Sequence, residues 1–178
     1  RNLVQKTVDA FGAVDVVVHN AANALALPLG EFTLDAWNKS MDVNLRGPVF
    51  LVQEALPWLK KSPHAAVLNV LTGAAFLFSS TISLYAIGKA GLLAATRAMA
   101  AEFEPFGIRV NALSPGTVDT DMVRKNTHEA QDVMTSIQLM KRMASPDEMV
   151  GPALMLTSDA GSFITGQVVF ADGGMVPR

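Results

Sequence analysis

Tyr85 is the single tyrosine of a 178-residue chain, and it stands four residues before Lys89. On a helix that spacing puts both side chains on one face, within reach of each other. An ammonium beside a phenol favours the phenolate and lowers a pKa that starts at about 10. A phenol tuned in that way gives or takes a proton near neutral pH. Thr72 directly follows the apolar run Ala66–Leu71, where a hydroxyl at a strand's carboxyl end can bond a substrate oxygen. Asn44 lies in Asp42-Val-Asn44-Leu-Arg-Gly47, between two helical patterns. His19-Asn20-Ala21-Ala22 follows the apolar run Val14–Val18, and its small residues let a ligand approach the backbone closely. Ser114-Pro115-Gly116-Thr117-Val118-Asp119-Thr120 follows a third apolar run. Taken singly, each has a plainer reading. These are a surface Tyr beside a surface Lys, a capping threonine, a polar residue easing a helix junction, an Asn-rich turn and a Pro-Gly turn.

The elements that must position these residues follow from periodicity. Val14–Val18 is an almost continuous β-branched run of the kind buried on both faces of a parallel sheet, Ala66–Leu71 reads as a second buried strand, Ile108–Leu113 as a third and Gln167–Phe170 as a short fourth. Between them lie helical patterns. Arg1–Phe11 carries Leu3, Val4, Val8 and Phe11 at helical spacing and closes at Gly12. Thr33 caps a helix through Met41, and a second runs from Val49 to Leu59. A long helix spans Ser83 to Pro105, and another opens at Ser145-Pro146 and runs to Leu156. Residues 117–145 are polar and Met-bearing and read as a mobile flap. Strands alternating with helices predict a doubly wound parallel sheet of the α/β class, in a single domain spanning 1–178. In such sheets the carboxyl ends of the strands border the ligand crevice.

Composition narrows the classes. The chain is 50% hydrophobic and 17% charged, which excludes intrinsic disorder. A net charge of −2 leaves no polycationic footprint for nucleic acid or an anionic membrane. The longest uncharged run, Ser62–Gly88, is broken by Pro63, His64, Asn69 and Ser79-Ser80-Thr81, so it does not read as a membrane span. With no cysteine the chain excludes a disulfide scaffold and thiol catalysis, and a reducing, cytoplasmic setting is expected. His19, His64 and His128 show no metal-ligand spacing. No Gly-x-Ser-x-Gly elbow is present, which argues against a serine hydrolase.

In order and spacing these motifs resemble the short-chain dehydrogenases/reductases, over essentially the whole chain. His19-Asn-Ala-Ala22 stands at that family's Asn-Asn-Ala-Gly motif, Asp42-Val-Asn44 at its helix asparagine, and Thr72 at its serine. Tyr85-Ala-Ile-Gly-Lys89 matches its Tyr-x-x-x-Lys, Ser114–Thr120 its Pro-Gly loop, and Ile164-Thr-Gly-Gln…Asp172-Gly-Gly174 its C-terminal signature. The resemblance implies an incomplete Rossmann-like sheet and hydride transfer between NAD or NADP and a carbonyl/alcohol pair. It makes Tyr85 the general acid/base, has Lys89 hold the nicotinamide ribose and lower the Tyr85 pKa, and has Thr72 orient the substrate oxygen. Asn44 would hold a relay water. Pro115, Gly116, Val118 and Thr120 would meet the nicotinamide end, and His19, Asn20, Ala21 and Ala22 the adenosine side. A non-catalytic scaffold, or a lyase or epimerase using the same Tyr and Lys, are the alternatives.

The chain departs from the family's pattern in lacking a glycine-rich turn for pyrophosphate and an acidic or basic residue to choose NAD or NADP. About 75 residues, roughly two and a half βα units, would supply both. The expectation is therefore a fragment of a longer enzyme, inactive alone, with Val14–Val18 left as an unpaired edge. Gly88 costs about 0.5–1 kcal/mol relative to Ala in a helix interior, which close packing would explain. Ala75-Phe-Leu-Phe78 reads as core or as a pocket wall, and with Met122, Met134, Met140 and Met143 it suggests an apolar small-molecule substrate. The long helix is apolar or small almost all round, so one face covers the sheet and the other meets a second subunit in a homodimer or homotetramer.

Overall fold

In the computed structural model, which describes residues 2–78, 80 and 82–176, four parallel strands form one sheet in the order β1-β2-β3-β4. They are β1 (Val16–His19), β2 (Ala66–Val70), β3 (Arg109–Pro115) and β4 (Val168–Ala171). Ser79 and Thr81 of the Ser-Ser-Thr cluster lie outside the described residues. The helices are α1 (Asn2–Phe11), α2 (Leu34–Met41), α3 (Gly47–Leu59), α4 (Ser83–Phe103), α5 (Asp121–Arg124), α6 (His128–Ser136) and α7 (Val150–Thr157). The doubly wound α/β reading holds. A core of Val17, Val67, Val110, Val52, Leu59 and Met99 lies between the sheet and α1, α3 and α4, and Leu156 of α7 packs on Leu68 and Leu113 across the other face. None of the described helices is long and apolar enough to cross a membrane.

Burial distinguishes the strands. The residues of β2 from Ala66 to Asn69 are buried without alternation, as expected of a strand covered on both sides. In β1 the pattern alternates, with Val17 and His19 inside and Val16 and Val18 39% and 50% exposed. The expected two-sided burial therefore fails at β1, because β1 pairs only with β2 and a single face is covered. The expected edge is there.

The polar stretch 117–145 is more regular than expected. It contains α5 and α6, and the Thr127 hydroxyl accepts from the Ala130 backbone N–H to cap α6. Its base is tied down, since Ala144 N–H donates to Thr117 O and Asp119 N–H to Ala144 O, each at 2.9 Å. Periodicity alone hid these helices because few of their residues are apolar.

Between α2 and α3 the backbone runs through a five-residue π-helical turn, Asp42–Arg46. Gly47 closes it by donating its N–H to Asp42 O, and a Cβ at Gly47 would lie 2.8 Å from that carbonyl oxygen. Wide turns of this kind frequently sit at functional sites, and this one carries Asn44.

Candidate active site

Because the four strands are parallel, their carboxyl ends share one edge of the sheet, and the residues just past His19, Val70, Pro115 and Ala171 gather there. The early turns of α4 lie across this edge. Tyr85 and Lys89 occupy one face of α4, as their spacing predicts, with Lys89 Nζ 5.9 Å from the Tyr85 ring centroid. Lys89 is 1% exposed, and its ammonium donates to Val70 O at 2.7 Å. Burial penalises that charge and lowers the Lys89 pKa to about 8.

Tyr85 differs from its expected electrostatics. Burial raises the phenol pKa above its ordinary value, and the Thr72 hydroxyl opposes the rise only in part. Desolvation of the phenolate therefore outweighs the lowering expected from its neighbours. At neutral pH Tyr85 is a protonated phenol. Thr72 takes its plainer expected part as a cap. Its oxygen accepts from Ala74 N–H at 3.3 Å, capping the short turn Gly73–Ala75, while the same hydroxyl faces Tyr85.

Asn44 is fully buried and clamps the segment after β1. Its Oδ1 accepts from Asn23 N–H at 3.0 Å, and its Nδ2 donates to Asn23 O at 2.8 Å and to Ser40 Oγ at 3.1 Å. Both amide protons are thereby engaged, so the side chain acts first as a brace for Asn23 at the end of the loop after β1. Gly88 explains how α4 reaches this brace: a Cβ there would lie 2.8 Å from Asn44 Cβ. The glycine left open by the sequence is a close-packing glycine.

Asn20 and Ala21 are exposed and Ala22 half-buried along the loop that Asn44 holds. His19 is 5% exposed, and its Nδ1 lies 2.6 Å from Asn69 Oδ1. Past β3, Gly116 N–H donates to Ala171 O at 3.1 Å, and a Cβ at Gly116 would come within 2.7 Å of Asp172 O and Gln138 Oε1. Val118 bridges to Ala144, and Thr120 precedes α5 without a side-chain capping bond. Among the described residues no hydrogen bond joins Val118 or Thr120 to Tyr85 or Lys89. Phe76 leans on Phe170 with centroids 4.8 Å apart, whereas Phe78 is fully exposed, so the Ala75–Phe78 segment serves packing and surface alike.

Several residues that build the site escaped sequence reading. Asn69 sits inside an apolar run and donates its Nδ2 to Thr96 Oγ1 at 2.8 Å. A buried amide in a strand needs partners, and that was the available signal. Gln138, 2% exposed, accepts from Thr117 N–H and donates to Met140 O and Arg142 O, which ties the base of the flap to the end of β3. Nothing in its local sequence marks it.

The donor set suits the nicotinamide-ribose half of a dinucleotide. An ammonium has three donors, Val70 takes one, and a vicinal diol offers matching acceptors at the mouth of the strand ends. The pyrophosphate half calls for a glycine-rich turn at a helix N-terminus, which the 178 residues do not contain.

A family model described as Enoyl-(Acyl carrier protein) reductase matches residues 1–176. The 3-oxoacyl-[acyl-carrier-protein] reductase FabG of Thermotoga maritima is 32% identical over 176 residues, covering 99% of this chain and 72% of that protein. Human dehydrogenase/reductase SDR family member 4 is 32% identical over 179 residues, covering 99% of this chain and 64% of that protein. Among solved structures, the ligand-free aldohexose dehydrogenase of Thermoplasma acidophilum superposes with a TM-score of 0.89 at 25% identity, covering 99% of this chain and 76% of that one. With its parallel sheet and ordered motifs, the chain belongs to the short-chain dehydrogenase/reductase family of oxidoreductases.

Proposed function

We propose that this chain carries the proton-transfer and nicotinamide-ribose portion of an oxidoreductase that uses NAD or NADP to interconvert a carbonyl and a secondary alcohol. The observation that carries the reading is the convergence of Thr72, Tyr85 and Lys89 on one sheet edge, with the Thr72 hydroxyl facing a protonated phenol. The reduced cofactor supplies hydride to the carbonyl carbon. Tyr85 gives its proton to the carbonyl oxygen in reduction and accepts one from the alcohol in oxidation. Thr72 orients that oxygen by a second hydrogen bond. Lys89 holds the ribose diol with a donor that Val70 leaves available, and Asn44 keeps the His19–Ala22 loop in place for the adenosine side. Pro115, Gly116, Val118 and Thr120 border the nicotinamide end.

The names of the relatives cover an acyl-carrier-protein thioester and an aldohexose, so substrate choice rests on this chain's own surface. Met140, half-exposed and beside Gly116 and Ala171 past the strand ends, favours an apolar small molecule. The outer face of α4, with Ile87 41% exposed beside Ala90 and Ala94, suits contact with a second subunit.

The test is consumption of reduced nicotinamide, with a panel of apolar ketones, by an enzyme in which this chain is joined to the glycine-rich turn its 178 residues lack, with Tyr85→Phe alongside. Loss of the phenol proton should lower kcat by about 10²–10⁴-fold with little change in KM. An undiminished Tyr85→Phe variant would sink the assignment. Turnover without net consumption of reduced nicotinamide would favour a lyase or epimerase.

A further inference from the structure

His19 stands where the family's motif has asparagine, and its imidazole is engaged on one side only. A chain of hydrogen bonds fixes which side. Leu92 O is a carbonyl and can only accept, so Thr96 Oγ1 donates to it, at 2.8 Å. Thr96 Oγ1 must then accept from Asn69, which places Asn69 Nδ2 toward it at 2.8 Å. Asn69 Oδ1 is therefore the atom facing His19 Nδ1, 2.6 Å away, and Nδ1 carries the proton. The remaining nitrogen, Nε2, is a bare lone pair, buried and without a hydrogen-bond partner among the described residues.

An orphaned buried acceptor costs roughly as much as a lost hydrogen bond, so the identity of its donor is a real question. Around His19, β2 contributes Asn69, and α4 contributes Thr96 and Lys89. Of these only Lys89 is charged, and burial, with the Lys89 charge as a smaller contribution, holds the imidazole below its ordinary pKa. Lys89 is 1% exposed and directs one proton to Val70 O, the residue after Asn69 on β2. His19 is thus anchored on Asn69 and Lys89 on Val70, adjacent residues at the carboxyl end of β2, one with a free buried acceptor and the other with free buried donors.

We propose that His19 is a positioning residue for Lys89: its Nε2 lone pair accepts a hydrogen bond from one water that in turn accepts one from the Lys89 ammonium, which orients the remaining N–H toward the cofactor ribose. The proposal rests on the oxidoreductase reading for its purpose, but the link itself exists in the protein without cofactor or turnover. It extends the network Leu92–Thr96–Asn69–His19 to the amine, so that β1, β2 and α4 jointly set the aim of Lys89. His19→Gln preserves the link, because its Nε2 can donate to Asn69 and its Oε1 can accept. His19→Leu abolishes both bonds.

The test is long-range 1H–15N NMR of histidine-labelled protein, with the His19 signals identified by their loss in His19→Gln. The expected result is the Nδ1–H tautomer with a bare Nε2 at neutral pH, and an Nε2 resonance that moves in Lys89→Met. Lysine 13Cε titration should show the Lys89 midpoint falling by about one pH unit in His19→Leu, since a lone pair held by an ammonium favours the charged form. His19→Gln should restore the midpoint. A protonated Nε2, or an Nε2 resonance indifferent to Lys89→Met, overturns the proposal. The NMR arm on unaltered His19 keeps the test decisive if His19→Leu does not fold. Failure of these signals leaves the hydride-transfer reading standing, and failure of ketone reduction leaves the His19–Lys89 link standing.

Discussion

Gly88→Ala tests whether a glycine in the middle of α4 is there for packing. In an exposed helix, replacing glycine with alanine stabilises by about 0.5–1 kcal/mol, because alanine restricts the unfolded chain and favours the helix. Here the new Cβ would meet Asn44 Cβ at 2.8 Å and Met41 Cε at 3.6 Å. The methionine tip can move, but Asn44 Cβ is tied to a π-helical turn whose side chain is braced on Asn23 and Ser40. Overpacking against such a neighbour costs about 1–3 kcal/mol. Net of the propensity gain, Gly88→Ala should destabilise by about 1–2 kcal/mol, lowering Tm by roughly 2–8 °C at the sensitivity of a domain this size. Gly91 supplies an internal control on the same helix. Its Cβ would also lie 2.8 Å from a neighbour, but that neighbour is Leu45 Cδ2, the far end of a flexible side chain, so Gly91→Ala should be neutral or stabilising. Thermal unfolding followed by circular dichroism, with urea midpoints as a second measure, reads both variants. If Gly88→Ala melts at or above the wild-type temperature, the tight approach of α4 to Asn44 is not what selects glycine there.

Three further outcomes follow from the site. Because Tyr85 is the single tyrosine, absorbance titration of phenolate reads it alone: its midpoint should lie above that of free tyrosine, rise further in Thr72→Ala, and stay close to wild type in Thr72→Ser. Thr72→Ser should also keep activity, and an inactive serine variant would refute the hydroxyl's assigned role. Lys89 has a folded pKa of about 8 against 10.5 ordinarily, so the unfolded chain binds more protons between those values and stability rises with pH there. Relative to Lys89→Met, wild type should gain on the order of 3 kcal/mol across that window, measured by urea unfolding at several pH values, and a flat difference would contradict the buried charge. Gln138→Ala strips partners from Thr117 N–H, Met140 O and Arg142 O. It should cost about 1–3 kcal/mol and speed amide exchange at Thr117, whereas unchanged protection would show that the flap base is held by other contacts.

Much of the architecture was legible because it depends on local pattern. The β-branched run of β1 and the apolar stretches of β2 and β3 announced the strands, Gly12 ended α1 with a positive φ of 79°, and the Thr33 cap was where its spacing put it. The helices α5 and α6 were not legible, since their residues are largely polar and exposed and their placement comes from Gln138 and Ala144 gripping Thr117 and Asp119. The alternating burial of β1 likewise depends on which neighbours cover it, a fact no single strand encodes.

The candidate site divides along the same line. By itself the sequence determined the α/β class, the ordered motifs and the shared helix face of Tyr85 and Lys89, because helical spacing and strand composition act over a few residues. Only the tertiary structure decided the electrostatics. Residues far apart in sequence bury Tyr85 and Lys89 together, so desolvation pushes the phenol pKa up and the amine pKa down, where adjacency alone predicted a lowered phenol. It also decided that Asn69 and Thr96 polarise His19 and that Gly88 lets α4 meet Asn44. Desolvation, hydrogen-bond direction and close packing depend on neighbours brought together only by the folded sheet.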